Sequence, residues 1–333
     1  MAPVFPTIYS TLSPDALAKL VTERYGLTGV QAWLLVRGVG DTYRLLSPVS
    51  RYILRVYRSS HRSLPQVKAE VELLLALQKA GVSVSYPIAD GSGETIQILE
   101  AAEGKRYAVL FSYAPGEVVS LLSEEQLRSL GQQVGRCHAV SATLELSDRR
   151  WSYTLDTMLF GPLEQVRSAF SEIPEEYDWW QRASRQVEKK LGQPGVEGFA
   201  KGYCHFDLLP KNFHFDGSAV TLFDFDFFGY GWLVNDIMTF WVHLSLDVHF
   251  GRLTQEGADK AYAIFLDAYR EVRPLSPAEL AAVPYLSLGF WGYYMGFHAT
   301  HDQFYSFVQP SQLKMRTALI RQLMERYWEK EDY

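Results

Sequence analysis

Two short polar clusters set in apolar sequence hold the residue types best suited to chemistry. His205-Phe206-Asp207 is followed by Asn212, and Asp224-Phe225-Asp226 closes the apolar run 220–223. Carboxylates beside buried apolar strands are costly unless a metal, a hydrogen bond or a counter-charge compensates them. One arrangement meets that cost. Asp207, on a loop, takes a proton from a substrate hydroxyl, while Asn212 and Asp224 supply hard oxygen ligands for Mg2+ that also holds nucleotide phosphates. Residues 213–215 and 222–223 are then expected as two short strands joined through Asp216-Gly217-Ser218, a hairpin-turn composition.

The order H-x-D-x-x-x-x-N followed by D-F-x is shared with protein kinases. A closer likeness lies elsewhere. The segment resembles the aminoglycoside phosphotransferase and choline kinase superfamily, which reads H-G-D-x-x-x-x-N and then I-D-F or I-D-W. Gly229-Tyr230-Gly231 and Asn235-Asp236-Ile237 resemble that family's continuation. Polar positions at fixed spacing, in order and with strands between them, make the combination specific. The resemblance implies an α+β, protein-kinase-like two-lobe fold. A small antiparallel-sheet N-lobe over 1–112 would bind nucleotide, and a mostly helical C-lobe over 113–333 would carry catalysis and substrate. It further implies ATP and Mg2+ as cofactors and transfer of the γ-phosphoryl group to a small-molecule hydroxyl. An aminoglycoside- or choline-like acceptor is favoured over a homoserine- or sugar-type one. A nucleotide-binding pseudokinase serving as an interaction module is the reading from a different class.

The elements that must position these residues can be read in order. Ser13-Pro14-Asp15 starts a helix. Strands are expected over 33–37, 42–46 and 51–57. Gly38 and Gly40 sit in the first turn, where backbone N–H groups could approach phosphates. The third strand offers Arg55 where the family has Lys, and the resemblance gives it the phosphate clamp. It also gives Glu70, on a helix over 65–80, the task of holding Arg55, with Glu72 as the competitor. Strands over 96–99 and 106–111 follow. The break at Pro115-Gly116 corresponds to the family's hinge, where the main chain of Ser112, Tyr113 and Ala114 would bind adenine.

Downstream the pattern is helical: 123–142, an aromatic-rich stretch over 151–187 broken at Gly161-Pro162, then 236–250, 254–272, 276–307 and 310–329. His138 reads as a satisfied core histidine. Asp236 caps its helix or braces the Asp207 loop. His205 supports that loop, and Asp226 either assists the metal or bonds nearby backbone. Phe206 replaces the family's Gly and is expected to narrow the space beside the base. Lys211 either neutralises the transferring phosphate or faces solvent. Tyr294, His298 and Asp302 recur every four residues and so are expected on one helix face. Asp247, His298 and Asp302 are the acceptor-binding candidates, since aromatic faces with a carboxylate suit an amine.

Bulk properties bound the rest. The chain has 333 residues, 47% of them hydrophobic, enough for a large core and two lobes. Net charge is −6 and no basic stripe appears, which argues against nucleic acid as a partner. Two cysteines, Cys137 and Cys204, with no C-x-x-C, exclude a disulfide framework. The apolar stretch 285–297 is shorter than the ~18 residues of a membrane span. The first twenty residues lack a basic segment leading into an apolar run, so a cytoplasmic enzyme is the expectation.

Overall fold

The computed structural model describes residues 5–147, 150–192 and 196–328. The expected ends of the chain, and of the last helix at 329, lie outside the described residues. Helix α1 (Pro14–Tyr25) precedes strands β1 (Gln31–Arg37), β2 (Gly40–Leu46) and β3 (Arg51–Tyr57). Helix α2 (Leu64–Lys79) and strands β4 (Ile96–Ala101) and β5 (Gly104–Ser112) follow, then α3 (Glu124–Ser141). After a π-helical turn, Asp156–Phe160, come α4 (Gly161–Gln165), a 3-10 turn at Arg167–Phe170, and α5 (Pro174–Leu191). Four short strands come next: β6 (Lys201–Cys204), β7 (Phe213–Asp216), β8 (Ala219–Leu222) and β9 (Gly229–Trp232). The chain ends in α6 (Val234–His249), α7 (Gln255–Arg270), α8 (Pro277–Ala299) and α9 (Pro310–Tyr327). The fold is α+β. By contacts the chain divides into two units, one of Met1–Val119, Leu144–Arg150 and Lys211–Asp226, the other of Ser120–Thr143, Trp151–Pro210 and Phe227–Tyr333.

The first unit is built on an antiparallel sheet in the order β1-β2-β3-β5-β4. Side chains alternate across a strand, so Tyr43, Leu45, Leu54, Val56, Ala108 and Leu110 share one face. That face is buried under Leu17 and Val21 of α1, each worth about 1.5–3 kcal/mol of burial. Ile53 and Arg55 point to the other face. The β7–β8 hairpin, turned at Gly217 with φ +63°, belongs to this unit as well. Backbone bonds fix it there: Ser85 N–H to Leu222 O (2.8 Å), Leu222 N–H to Ser83 O (3.0 Å) and Phe215 N–H to Glu117 O (2.9 Å). Gly116 permits this approach, because a Cβ on it would lie 2.0 Å from Phe215 O.

The second unit is mostly helical. Ser123 with Gln126, and Ser276 with Glu279, form reciprocal capping boxes at the starts of α3 and α8. Strands β6 and β9 pair antiparallel. Helix α3 lies close on α7 through Gly131 and Gly135, where added Cβ atoms would come within 2.2 Å of Phe265 O and 2.9 Å of Val272 Cβ. Two expectations are corrected here. The stretch 151–187 is not a broken helix but a bridge at Ser152, a π-turn and short helical pieces before α5, and Pro162 sits in the first turn of α4. The helix expected over 276–307 stops at Ala299, and Asp302 opens a 3-10 segment, Asp302–Val308. Asp302 therefore does not share an α-helical face with Tyr294 and His298. Among the described residues no helix is long and apolar enough to cross a membrane.

Candidate active site

Within the first unit a cleft of about 330 Å³ opens on the sheet face that carries Ile53 and Arg55. That size is ordinary for a small-molecule site. Arg55, Glu70, Tyr113, Ala114, Lys211 and Asp224 line it, so six side chains from five separate stretches meet. Leu35, Val36 and Thr42, flanking the Gly38–Gly40 turn, line it too, whereas Gly38 and Gly40 are not among its lining residues. Neither glycine has a positive φ. Gly40 packs closely on the neighbouring strand, where a Cβ would meet Val56 O at 3.1 Å.

Arg55 does not pair with Glu70. Its guanidinium binds the Asp224 carboxylate and lies 3.2 Å from Asp226 Oδ2. Glu70 pairs instead with Arg150, Nη2 to Oε2 3.5 Å. The reason is reach: an arginine fork extends further than a lysine ammonium and can bridge two carboxylates. Asp226 is 1% exposed and also takes Arg62 Nε at 2.8 Å, while Arg62 and Arg150 donate to its backbone carbonyl. The Asp226 carboxylate thus pairs with arginines and not, as one of its two expected roles had it, with nearby backbone. Burial alone would raise the Asp226 pKa, but Arg62, Arg55 and Arg150 hold it well below the usual carboxylate range. For Glu70 burial wins over Arg150 and Arg55, and its pKa is raised.

Asn212, buried at the start of β7, and Asp224, just after β8, stand at the same end of the hairpin. The Phe223 N–H donates to Asn212 O at 2.9 Å and ties the two ends together. Asp224 holds φ +61°, a left-handed conformation that Asp tolerates better than most residues, and its side chain is 41% exposed. One amide and one carboxylate are hard oxygen donors suited to Mg2+. Among the described residues no cluster of three His, Cys, Asp or Glu could hold a metal. The pair therefore fits a metal that draws its remaining ligands from a nucleotide and water, and does not fit a closed protein cage. Of the hinge residues, Ser112 spends its N–H on Tyr86 O and its carbonyl on Ser85 Oγ. The Ala114 carbonyl lies 3.0 Å from His214 Nδ1.

In the second unit the loop after β6 carries His205, Phe206 and Asp207, all buried. Asp236, at the start of α6, accepts the backbone N–H groups of His205 (2.8 Å) and Phe206 (2.7 Å). His138 of α3 holds the same carboxylate at 2.9 Å, and its other ring nitrogen is 2.9 Å from the Tyr269 hydroxyl. Burial opposes charge on Asp236, yet these partners keep its pKa below the usual value. His138 is a core histidine, as its helix position suggested, and it also orients the brace. Phe206 has φ +64°, and its ring stacks on Tyr153 at 3.6 Å and 10°. It is fully buried. Tyr294 of α8 lies beside Asp207: burial first, then the aspartate, push its phenol pKa well up. Asp247 is one of the acceptor candidates, but it already pairs with Arg252 (2.6 Å) and His243 (3.4 Å). Eleven residues along α6 from Asp236, it lies ~16 Å away at helical rise. Asp302 is exposed, and His298 stands one turn beyond Tyr294. Arg62 and Arg150 carried no local signal, because their partners are distant in sequence; the spacing of Tyr294 marked its helix face but not its place beside Asp207.

A family model, the Phosphotransferase enzyme family, matches residues 36–275, and the chain belongs to that family. An uncharacterised protein of Deinococcus radiodurans is 35% identical over 303 residues, covering 89% of this chain and 84% of its own. Amicoumacin kinase of Bacillus subtilis is 25% identical over 276 residues, covering 78% and 77%. Homoserine kinase of Phenylobacterium zucineum is 24% identical over 294 residues, covering 85% and 83%. Among solved structures, a microcompartment-associated aminopropanol kinase superposes with a TM-score of 0.74 at 21% identity, over 94% of this chain and 98% of that one. An amicoumacin kinase in complex with AMP-PNP, Ca2+ and Ami gives 0.71 at 20% identity, over 95% and 94%. These superpositions show a shared kinase-like fold.

Proposed function

We propose that this phosphotransferase moves the γ-phosphoryl group of Mg-ATP to a hydroxyl of a small molecule, with nucleotide held by the first unit and acceptor by the second. The observation that supports it best is the convergence of Arg55, Lys211 and Asp224 on one cleft, two cations and a hard-oxygen ligand where a polyphosphate would need them. Asn212 and Asp224 would hold the metal. When bound, it would neutralise charge on the β- and γ-phosphates. Arg55 and Lys211 would face the phosphates. With Ser112 committed internally, the main chain of Tyr113 and the N–H of Ala114 would receive the base. Asp207 orients the acceptor and takes its proton. The acceptor oxygen forms a bond to the γ-phosphorus as the bond to the β–γ bridging oxygen breaks. The products are ADP, with that electron pair, and a phosphate monoester. Relatives named for amicoumacin and homoserine favour an alcohol acceptor that also carries other polar groups.

ADP release with Mg-ATP over a panel of aminoglycosides, choline, ethanolamine, homoserine and sugars tests this reading. Turnover with an acceptor, falling by roughly 10²–10⁴ in Asp207→Asn at unchanged melting temperature, is expected for loss of a general base. Nucleotide binding with no turnover on any acceptor would instead favour the pseudokinase.

A further inference from the structure

Arg316 on α9 differs from four arginines of the first unit. Arg55, Arg62, Arg106 and Arg150 each face a carboxylate within 3.5 Å. Arg316 does not. It is partly buried, and its polar contact is His298 Nδ1, 3.4 Å from its Nη1. Among the described residues no acidic side chain lies against it, and burial alone pushes its pKa down. Its position is fixed, because Leu313 and Thr317 on either side are fully buried and Trp180 Nε1 bonds the Thr317 hydroxyl at 3.0 Å. A guanidinium held half out of water without a counter-charge is costly, and an anion would relieve the cost.

The place of this cation gives it meaning. His298 stacks on Phe307 at 4.9 Å and lies 5.9 Å, ring to ring, from Tyr294, whose phenol is beside Asp207. Arg316 thus ends a line of side-chain contacts, through His298 and Tyr294, that begins at Asp207. Resting on the reading of Asp207 as the acceptor's base, the geometry points to an acceptor that carries a carboxylate or phosphate, bound by Arg316 beside His298, at the opposite end from its reacting hydroxyl. The class is a short hydroxy acid, amino-acid alcohol or phosphorylated alcohol. A purely cationic acceptor would meet Arg316 unfavourably.

The full-length protein decides this by equilibrium binding and turnover together. The probes are homoserine and 4-hydroxybutyrate as carboxylates, glycerol 3-phosphate as a phosphate, and choline and aminopropanol as acceptors without an anion. Arg316→Met and Arg316→Lys are compared with Arg321→Met, a control on the same helix, and melting temperatures check folding. The inference expects an anionic probe to bind, with Kd or KM raised roughly tenfold or more in Arg316→Met and partly restored in Arg316→Lys. Mg-ATP affinity and the control should stay at wild-type values. Which probe binds separates carboxylate from phosphate. If choline or aminopropanol turns over and Arg316→Met leaves every acceptor constant unchanged, the inference falls while the kinase reading stands. If no probe turns over but an anionic probe binds through Arg316, the anion site stands and the kinase reading falls. If no anionic probe binds the wild type, the inference is overturned.

Discussion

Phe206 shows how packing can hold a strained backbone in place beside a candidate catalytic residue. The left-handed backbone at this position, φ +64°, is easy for glycine and costs other residues roughly 1–2 kcal/mol. That explains why the family places glycine here. This chain offsets the strain by burying the ring in a stack with Tyr153, flanked edge-on by Tyr293. Phe206→Gly relieves the strain but empties a fully buried phenyl site, a loss of about 3–5 kcal/mol. The net expectation is destabilisation by roughly 1–4 kcal/mol in denaturant titrations. The Phe206 N–H would still donate to Asp236, so kcat should fall less than about tenfold where the variant is folded. A variant as stable as wild type would show that the stack contributes nothing. Arg55 makes the same point about partners. Its charge was legible in the third strand, but its carboxylates, Asp224 and Asp226, lie some 170 residues away. No local pattern announces a pairing of that range.

At the scale of elements, the amphipathic helices and the sheet were readable because each has a period and a cap. Residues 51–57 are a strand as expected, and α2, α3, α6 and α7 fall within one or two residues of their expected ends. Strands β6 and β9 were not readable, because Lys201–Cys204 and Gly229–Trp232 are four residues each and rich in glycine. The π-turn and its neighbours were missed because an aromatic run offers no clear period. Their location is set from outside: Gly292 of α8 leaves space for Met158 O, which an added Cβ would approach to 2.5 Å. Gly131 and Gly135, four apart on α3, work alike against α7, and His138 is one turn further on. Helix α3 therefore carries the histidine that holds Asp236, and Asp236 holds the Asp207 loop. Gly131→Val should push α3 from α7 because its Cβ cannot fit 2.2 Å from Phe265 O. Overpacking of this kind costs typically 1–3 kcal/mol. The loss of kcat should exceed any change in the KM for Mg-ATP, since the displaced groups serve Asp207. Unchanged kcat in a destabilised Gly131→Val would break the link between this helix contact and the loop.

The molecule as a whole follows the order its motifs suggested, a sheet-bearing N-terminal part and helices after it, but its units are discontinuous. Residues 211–226 belong by contact with the N-terminal sheet, and linear reading has no means to see such a return. Each unit contains a buried aspartate kept charged by its partners: Asp226 by Arg62, Arg55 and Arg150, and Asp236 by His138 and backbone N–H groups. This makes stability depend on pH in a definite direction. Both folded pKa values lie below the ordinary carboxylate value of about 4. Their contribution is complete above that value and is lost as pH falls through the folded pKa. Stability should therefore hold from neutral pH to about 5 and decline below about 4. Asp226→Asn separates this effect from general acid unfolding. At pH 7 it leaves buried cations without their counter-charge, a loss of about 3–5 kcal/mol. As pH falls the wild type protonates Asp226 and loses the same interaction, so the two proteins should converge. Denaturation midpoints at pH 7, 4 and 2 measure the gap, since the folded carboxylate keeps its charge well below pH 4. A gap that stays constant over that range would mean that the Asp226 carboxylate does not contribute through its charge, and that the arginines around it are held by packing alone.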